Sequence, residues 1–253
     1  MAAVTPLLVT RGLTRRFGGL TAVDHVDFEL PAGQIRAVIG PNGAGKTTFV
    51  SLVCGRIMPT CGEVVFDGEN ITALPAHERV RRGIAYTFQI TSVFPNLTVF
   101  DNVALSVQRS LIDGKTGGGG RFSGKELSRG VEEALARVHL SDRTDMPAGK
   151  LAYGHQRLLE VAMGLALKPR LLILDEPTQG LSDAEIESFI ALVKEIARDA
   201  TVLLIEHNMP VVMALADRIT VMSTGAVLAE GTPDEIRADP HVQHAYLGSP
   251  EDA

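Results

Sequence analysis

Short apolar runs broken by Gly, Pro and Asp fill the first third of the chain: "LLVTRGL" (7–13), "VDFEL" (26–30), "IRAVIG" (35–40) and "EVVFDG" (63–68). Their punctuation and β-branched content predict strands, with a helix interrupting them after Gly45. From about Leu97 to Lys150 the pattern turns helical. "LTVFDNVALSVQ" and "SGKELSRGVEEALARVHL" flank a glycine run, Gly117 to Gly120, that reads as a mobile surface loop. The last third alternates again: a helix from about Gly154, the strand "LLILDE", the helix "DAEIESFIALVKEIAR", the strand "TVLLIE", the helix "VVMALA" and a hairpin, "RITVMSTGAVLAEG". In the middle helix Ile186, Phe189, Ile190, Val193 and Ile196 recur at helical spacing, while the two strands are continuously apolar. Buried parallel strands covered by helices follow from this, an α/β core carrying a helical insertion. No internal repeat is visible.

Composition narrows the function. The 253 residues are 45% hydrophobic and 21% charged, ordinary for a globular protein with a sizeable core. A net charge of -6, from 24 basic and 30 acidic side chains, leaves no chain-wide footprint for nucleic acid. Cys54 and Cys61 fit neither a CxxC redox pair nor a zinc site, so they read as small thiols in a reducing compartment. The start "MAAVTPLLVT" lacks a basic leader and no run of 18 apolar residues occurs. A cytosolic protein is expected.

The sharpest chemical signal is "GPNGAGKTT": Gly40, Pro41, Asn42, Gly43, Ala44, Gly45, Lys46, Thr47 and Thr48. It fits G-x-x-x-x-G-K-[ST] between a strand and a helix, the context that marks a P-loop. Glycines let the backbone wrap an anion so that successive N–H groups and the helix N-terminus face phosphate oxygens, Lys46 adds a point charge, and Thr47 offers a hydroxyl to Mg²⁺. A nucleoside triphosphate site follows. In "LLILDEP", Asp175 ends a buried strand where it can hold the magnesium shell, and Glu176 follows as a carboxylate able to take a proton from an attacking water. Asp at a strand end also serves plain turn chemistry, and the P-loop is what favours the catalytic reading. His207 ends the next strand in "LLIEHNM". A lone His is more often structural; this one could sense the γ-phosphate.

These motifs make the chain resemble, over nearly its whole length, the ATP-binding subunits of ATP-binding cassette (ABC) transporters. "LAYGH" (Leu151, Ala152, Tyr153, Gly154, His155) stands in the place of that family's signature loop, usually Leu-Ser-Gly-Gly-Gln. The resemblance implies that two cassettes dock head to tail and that this loop seals the ATP held by the other subunit. It assigns Gln89 in "AYTFQ" to the loop that links magnesium and attacking water to the helical insertion, and Phe17 in "RRFGG" to the aromatic that stacks on adenine. Ala152 replaces a serine that reaches the γ-phosphate, Tyr153 a small residue, and Ser182 an aspartate in the loop after the Asp175 strand. The implied fold is a P-loop ATPase core with an N-terminal antiparallel β subdomain (1–89 and 155–253) and an inserted α-helical subdomain of about 90–154.

"RRFGGLTAVDHVDFEL", "TFQITSVFPNLTVFDNV", "IEHNM" and "EGTPDEIRADPHVQHAYLG" are similar to the cassettes of branched-chain amino acid importers. What this implies is an ATPase using ATP and Mg²⁺, peripheral to the cytoplasmic face of the membrane. Its partners would be integral membrane permeases, a second cassette, identical or not, and indirectly a solute-binding protein, with no nucleic acid. Ile90 to Asn102, with Val93, Phe94 and Leu97, is expected to form the groove for a permease helix. A lipid or lipopolysaccharide exporter cassette and a soluble non-transport ABC ATPase are the alternatives. The solute is not named by this chain.

Overall fold

The structure, a computed structural model, describes residues 6–87, 92–114 and 122–247. In chain order, β1 (Pro6–Phe17) and β2 (Leu20–Pro31) are followed by β3 (Ile35–Ile39) and α1 (Lys46–Val53), then β4 (Cys61–Phe66), β5 (Glu69–Asn70) and α2 (Ala76–Arg81). The middle holds β6 (Ile84–Thr87), α3 (Val99–Gly114), α4 (Gly124–Arg137), α5 (Tyr153–Ala166), β7 (Leu171–Asp175) and α6 (Asp183–Ile196). The end holds β8 (Thr201–Ile205), α7 (Met209–Leu215), β9 (Arg218–Ser223), β10 (Ala226–Gly231), α8 (Pro233–Ala238) and α9 (Pro240–Leu247).

The chain divides into two units, Met1–Arg79 with Ile196–Ala253, and Val80–Glu195. In the first, a four-stranded antiparallel sheet runs in the order β2-β1-β4-β5. Gly18, with φ at 58°, lets β1 fold straight back into β2, the chemistry a tight hairpin asks for. The same unit holds a parallel set in which β3 lies between β8 and β9, so that Ala37 faces Leu204 on one side and Ile219 on the other, with β10 antiparallel to β9. All five residues of β3 and of β8 are buried, which is why these runs show no polar alternation. Ala37, Ile39, Val212, Ile219, Val221 and Ile236 form one cluster of its core. Phe49 of α1 meets Phe28 of β2 edge to face at 5.3 Å, a contact worth about 1 kcal/mol beyond area burial that pins the helix to the sheet.

In the second unit β6 pairs parallel with β7, α3 packs against α4 and α5, and Val103, Val107, Val131, Leu135 and Leu159 of these helices are buried. Phe189, Val193 and Ile196 form the buried stripe of α6, while Ile186 and Ile190 are half-buried. The α/β class, the antiparallel N-terminal sheet and the helical middle match the sequence expectation. The pattern did not mark β6, only four residues long, or the short helices α2, α8 and α9. Gly117 to Gly120, expected as a surface loop, lie outside the described residues.

Candidate nucleotide site

Residues 40–48 run as a loop from the end of β3 into the first turn of α1, with backbone close against Gly40 and Gly45. Gly40, Gly43 and Gly45 all have positive φ, at 152°, 81° and 96°. A Cβ on Gly40 would run into the carbonyl oxygen of Met222, and one on Gly45 into that of Ala22; a Cβ on Gly43 would meet nothing within 4 Å, so there the backbone angle alone demands glycine. The Gly225 N–H donates to Ala44 O at 3.1 Å, and Asp24 N–H donates to Gly225 O at 2.8 Å, tying the loop to β2 and to the β9–β10 turn. Lys46, only 8% exposed, donates from Nζ to Gly40 O at 2.6 Å and Pro41 O at 3.0 Å, so its ammonium spans the loop. Gly45, the N-cap of α1, makes no side-chain cap, and the first turn carries no acidic residue. The helix therefore ends in amides without an intrahelical partner and an unneutralised positive dipole end.

The far end of α1 is held as tightly. Arg79 is fully buried, and its guanidinium donates to Leu52 O and Val53 O at 2.7 and 2.8 Å, to Leu74 O at 2.9 Å and to Thr72 O at 2.8 Å. Burial pushes its pKa down to about 10, which still leaves it charged at neutral pH. A cation on the last carbonyls of a helix meets the negative end of its dipole. In the same unit Phe17 ends β1 with 44% of its surface exposed and the Arg15 guanidinium 4.5 Å from its ring centroid. It is not core. His207 follows β8 with a largely exposed ring, and the fully buried Glu206 carboxylate accepts from His207 N–H at 2.8 Å and Asn208 N–H at 3.0 Å, fixing the turn that presents it.

In the second unit Asp175 ends β7 at 1% exposure, with the Tyr86 hydroxyl donating to its Oδ2 at 2.7 Å. Glu176 stands at φ 46°, a conformation a non-glycine residue holds only under strain, and its carbonyl accepts from Gln179 N–H at 3.2 Å. Gln89 and Ile90 lie outside the described residues. Phe94 and Leu97 are exposed and Val93 half-buried. Buried Asn102 accepts from Phe94 N–H at 2.8 Å and donates to Phe94 O at 3.1 Å and Thr98 O at 2.8 Å, so the turn that displays these apolar side chains is held from beneath.

Leu151 is buried, and Ala152 is the exposed N-cap of α5, again without a side-chain cap or first-turn acid. Tyr153 lies over Gly180, whose added Cβ would come within 2.9 Å of its ring, and the Arg157 guanidinium sits 5.6 Å from the ring centroid. A Cβ on Gly154 would strike Glu185 Oε1. His155 is half-buried with its Nδ1 shielded and without a hydrogen-bond partner. Ser182 has a local reason to be serine: it precedes α6, and its N–H and Oγ–H donate to Glu185 Oε2 at 2.9 and 2.7 Å.

Residues 23–179 match the ABC transporter family profile, and residues 226–252 match the profile described as branched-chain amino acid ATP-binding cassette transporter. The chain belongs to the ABC transporter ATP-binding cassettes. The cassette is 41% identical over 250 residues to the Pseudomonas aeruginosa high-affinity branched-chain amino acid transport ATP-binding protein BraF, covering 96% of this chain and 98% of that one. It is 39% identical over 251 residues to Escherichia coli LivG, of the same description, at the same coverage. A crystal structure of a nucleotide-free ATP-binding cassette from an ABC transporter superposes with a TM-score of 0.85 at 26% identity, covering 96% of this chain and 100% of that one. Among the described residues no helix is long and apolar enough to cross a membrane.

Sequence reasoning passed over Tyr86, Arg79 and Glu206 in the cassette. Glu206 left a readable trace, a carboxylate closing an apolar strand. Ser182 left another, the S-x-x-E of a helix start. Tyr86 and Arg79 left none, because their partners are fixed by strand register and by carbonyl positions.

Proposed function

We propose that the cassette binds and hydrolyses Mg-ATP and so energises uptake of branched-chain amino acids, or of related hydrophobic or amide-containing solutes, through membrane permeases. The observation that carries the reading is the loop 40–48: glycines walled by backbone, an ammonium across the loop, and a helix end with neither cap nor acid. It fits a polyphosphate, and Phe17 offers a half-exposed ring for a base to stack on. When bound, Mg²⁺ spreads the charge developing on the transferred phosphoryl group; Thr47, Asp175 and Gln89 would hold it. Glu176 takes the proton of the attacking water as its oxygen bonds the γ-phosphorus and the bond to ADP breaks, His207 positions the γ-phosphate, and Gln89 relays occupancy. Leu151 to His155 act on the ATP of a second cassette. Phe94 and Leu97 face a permease, which places the chain on the cytoplasmic face of the membrane. The similarity to BraF and LivG and the match at 226–252 support the solute class.

The test is ATP turnover by the cassette in its assembled complex, with uptake of labelled leucine, isoleucine and valine in cells lacking and regaining the gene. Glu176→Gln is expected to lower turnover by about 10² to 10⁴ fold while ATP binding persists. Wild-type turnover in that variant would remove Glu176 as the base, and uptake indifferent to the gene would overturn the solute assignment.

A further inference from the structure

In the parallel pairing of β6 and β7, Tyr86 stands opposite Ile173, so Asp175 lies two residues on along the same face of the sheet. A tyrosine is long enough to cross that diagonal, and its hydroxyl reaches Asp175 Oδ2 at 2.7 Å. The carboxylate is 1% exposed, so water contributes little to holding its orientation, and a donor on one oxygen fixes the rotation of the whole group about its Cβ–Cγ bond. We propose that Tyr86 is a positioning residue for magnesium in this cassette, setting which oxygen of Asp175 can face the ion before the ion arrives. The proposal rests on the reading of Asp175 as a magnesium holder.

The choice of donor fits that task. A lysine or arginine would neutralise the carboxylate and compete with the cation, whereas a phenol, ionising only near pH ~10, donates one hydrogen bond and leaves the negative charge in place. Donors behind a metal-ligating carboxylate typically govern metal affinity by about 10- to 100-fold.

The experiment titrates a fluorescent ATP analogue onto the full-length wild type, Tyr86→Phe and Asp175→Asn, first in excess EDTA and then across a Mg²⁺ series. Tyr86→Phe keeps the ring and removes only the hydroxyl. The expected result is unchanged affinity in EDTA and an approximately 10- to 100-fold higher Mg²⁺ concentration for the half-maximal gain in affinity; Asp175→Asn should lose most of that gain. A wild-type Mg²⁺ response in Tyr86→Phe, with the gain lost in Asp175→Asn, overturns the role of Tyr86 and leaves that of Asp175. A wild-type response in Asp175→Asn overturns the reading of Asp175 and the inference with it. Weaker binding by Tyr86→Phe in EDTA as well would show that the hydroxyl serves the fold rather than the ion, and the inference fails.

Discussion

Among the described residues, two helices of eight residues or more begin without a side-chain cap, and they begin differently. Of the helices of eight residues or more, α3 starts on Thr98, whose hydroxyl accepts from Asp101 N–H, α4 on the Ser123–Glu126 capping box, α6 on Ser182 with Glu185, and α9 on Asp239, which accepts from His241 and Val242 N–H. Among the described residues, only α1 and α5 of these helices lack such a cap and also lack an acidic residue in the first turn. Leaving the helix amides without a side-chain cap forgoes about 1 kcal/mol of stability each time and leaves them to water or to a ligand. At α1 the loop ahead of the helix is shaped by backbone, with Ala22 and Met222 carbonyls standing where side chains would be. At α5 the neighbour of Gly154 is the Glu185 side chain, and the capping residue Ala152 is exposed. The first end is walled by backbone of its own chain, as befits the proposed phosphate site; the second opens on an exposed capping residue, as befits the proposed role on a partner's nucleotide.

The largest expected effect tests how far the rigidity of the first end depends on its other terminus. Arg79→Met would leave the carbonyls of Leu52, Val53, Thr72 and Leu74 without their buried donor, at about 1–3 kcal/mol for each that finds no substitute. A loss of about 4 kcal/mol or more in urea unfolding is expected, and a loss under about 1 kcal/mol would show that the buried guanidinium is not what holds α1.

Next comes the contrast between the two glycines. Gly45→Ala must relieve both a left-handed backbone, about 1–3 kcal/mol, and a clash with rigid Ala22 O, about 1–3 kcal/mol more, so ATP affinity of the isolated chain should fall by about a hundredfold or more. Gly154→Ala meets side chains that can give, the Glu185 carboxylate and, at 3.3 Å, Leu181 Cδ2, and ATP affinity of the isolated chain should stay within about twofold. Equal losses by nucleotide titration would erase the distinction.

The two ends were unequally legible in the sequence. The glycines, Lys46 and the helix start of the first are contiguous, so "GPNGAGKTT" between a strand and a helix made the motif readable, though not the Ala22 and Met222 carbonyls that wall it. Asp175 was visible because four apolar residues lead to it. What surrounds them was not: Tyr86 and Asp175 lie 89 residues apart, and their meeting depends on the register of two parallel strands that no local pattern encodes. Arg79 is one arginine among several in "HERVRRGI", and nothing in that string says which one turns inward. Ser182 shows the reverse failure. Read as a departure from an aspartate, it is a helix start that the S-x-x-E spacing announces.

A smaller effect separates stability from function at the second end. Ala152→Asp supplies the cap that α5 lacks, worth about 0.5–2 kcal/mol, so the isolated protein should become more stable to urea. The same carboxylate occupies the amides and brings negative charge to where a partner's phosphate is proposed to sit, so turnover of the assembled complex should drop tenfold or more, by an estimate of about 1.4 kcal/mol of repulsion or more. Stability up with turnover unchanged would mean that this helix end serves no phosphate.

The smallest expected effect concerns Glu185, which fills the space beside Gly154. The Ser182 N–H and then its hydroxyl donate to the Glu185 carboxylate and hold its pKa below the ordinary 4.5. These bonds favour the ionised form, so their contribution is complete above the unfolded-state pKa and is lost as pH falls through the depressed folded-state value. Glu185→Gln should therefore match the wild type in urea midpoint at pH well below 4.5 and fall behind it as pH rises toward neutrality. The gap should be modest, because the carboxylate is exposed to solvent and its bonds compete with water. A gap of constant size from acid to neutral pH would show that Glu185 acts through its bulk against Gly154. The second helix end would then be shaped by packing alone, and the contrast with the first would rest on which atoms do the packing.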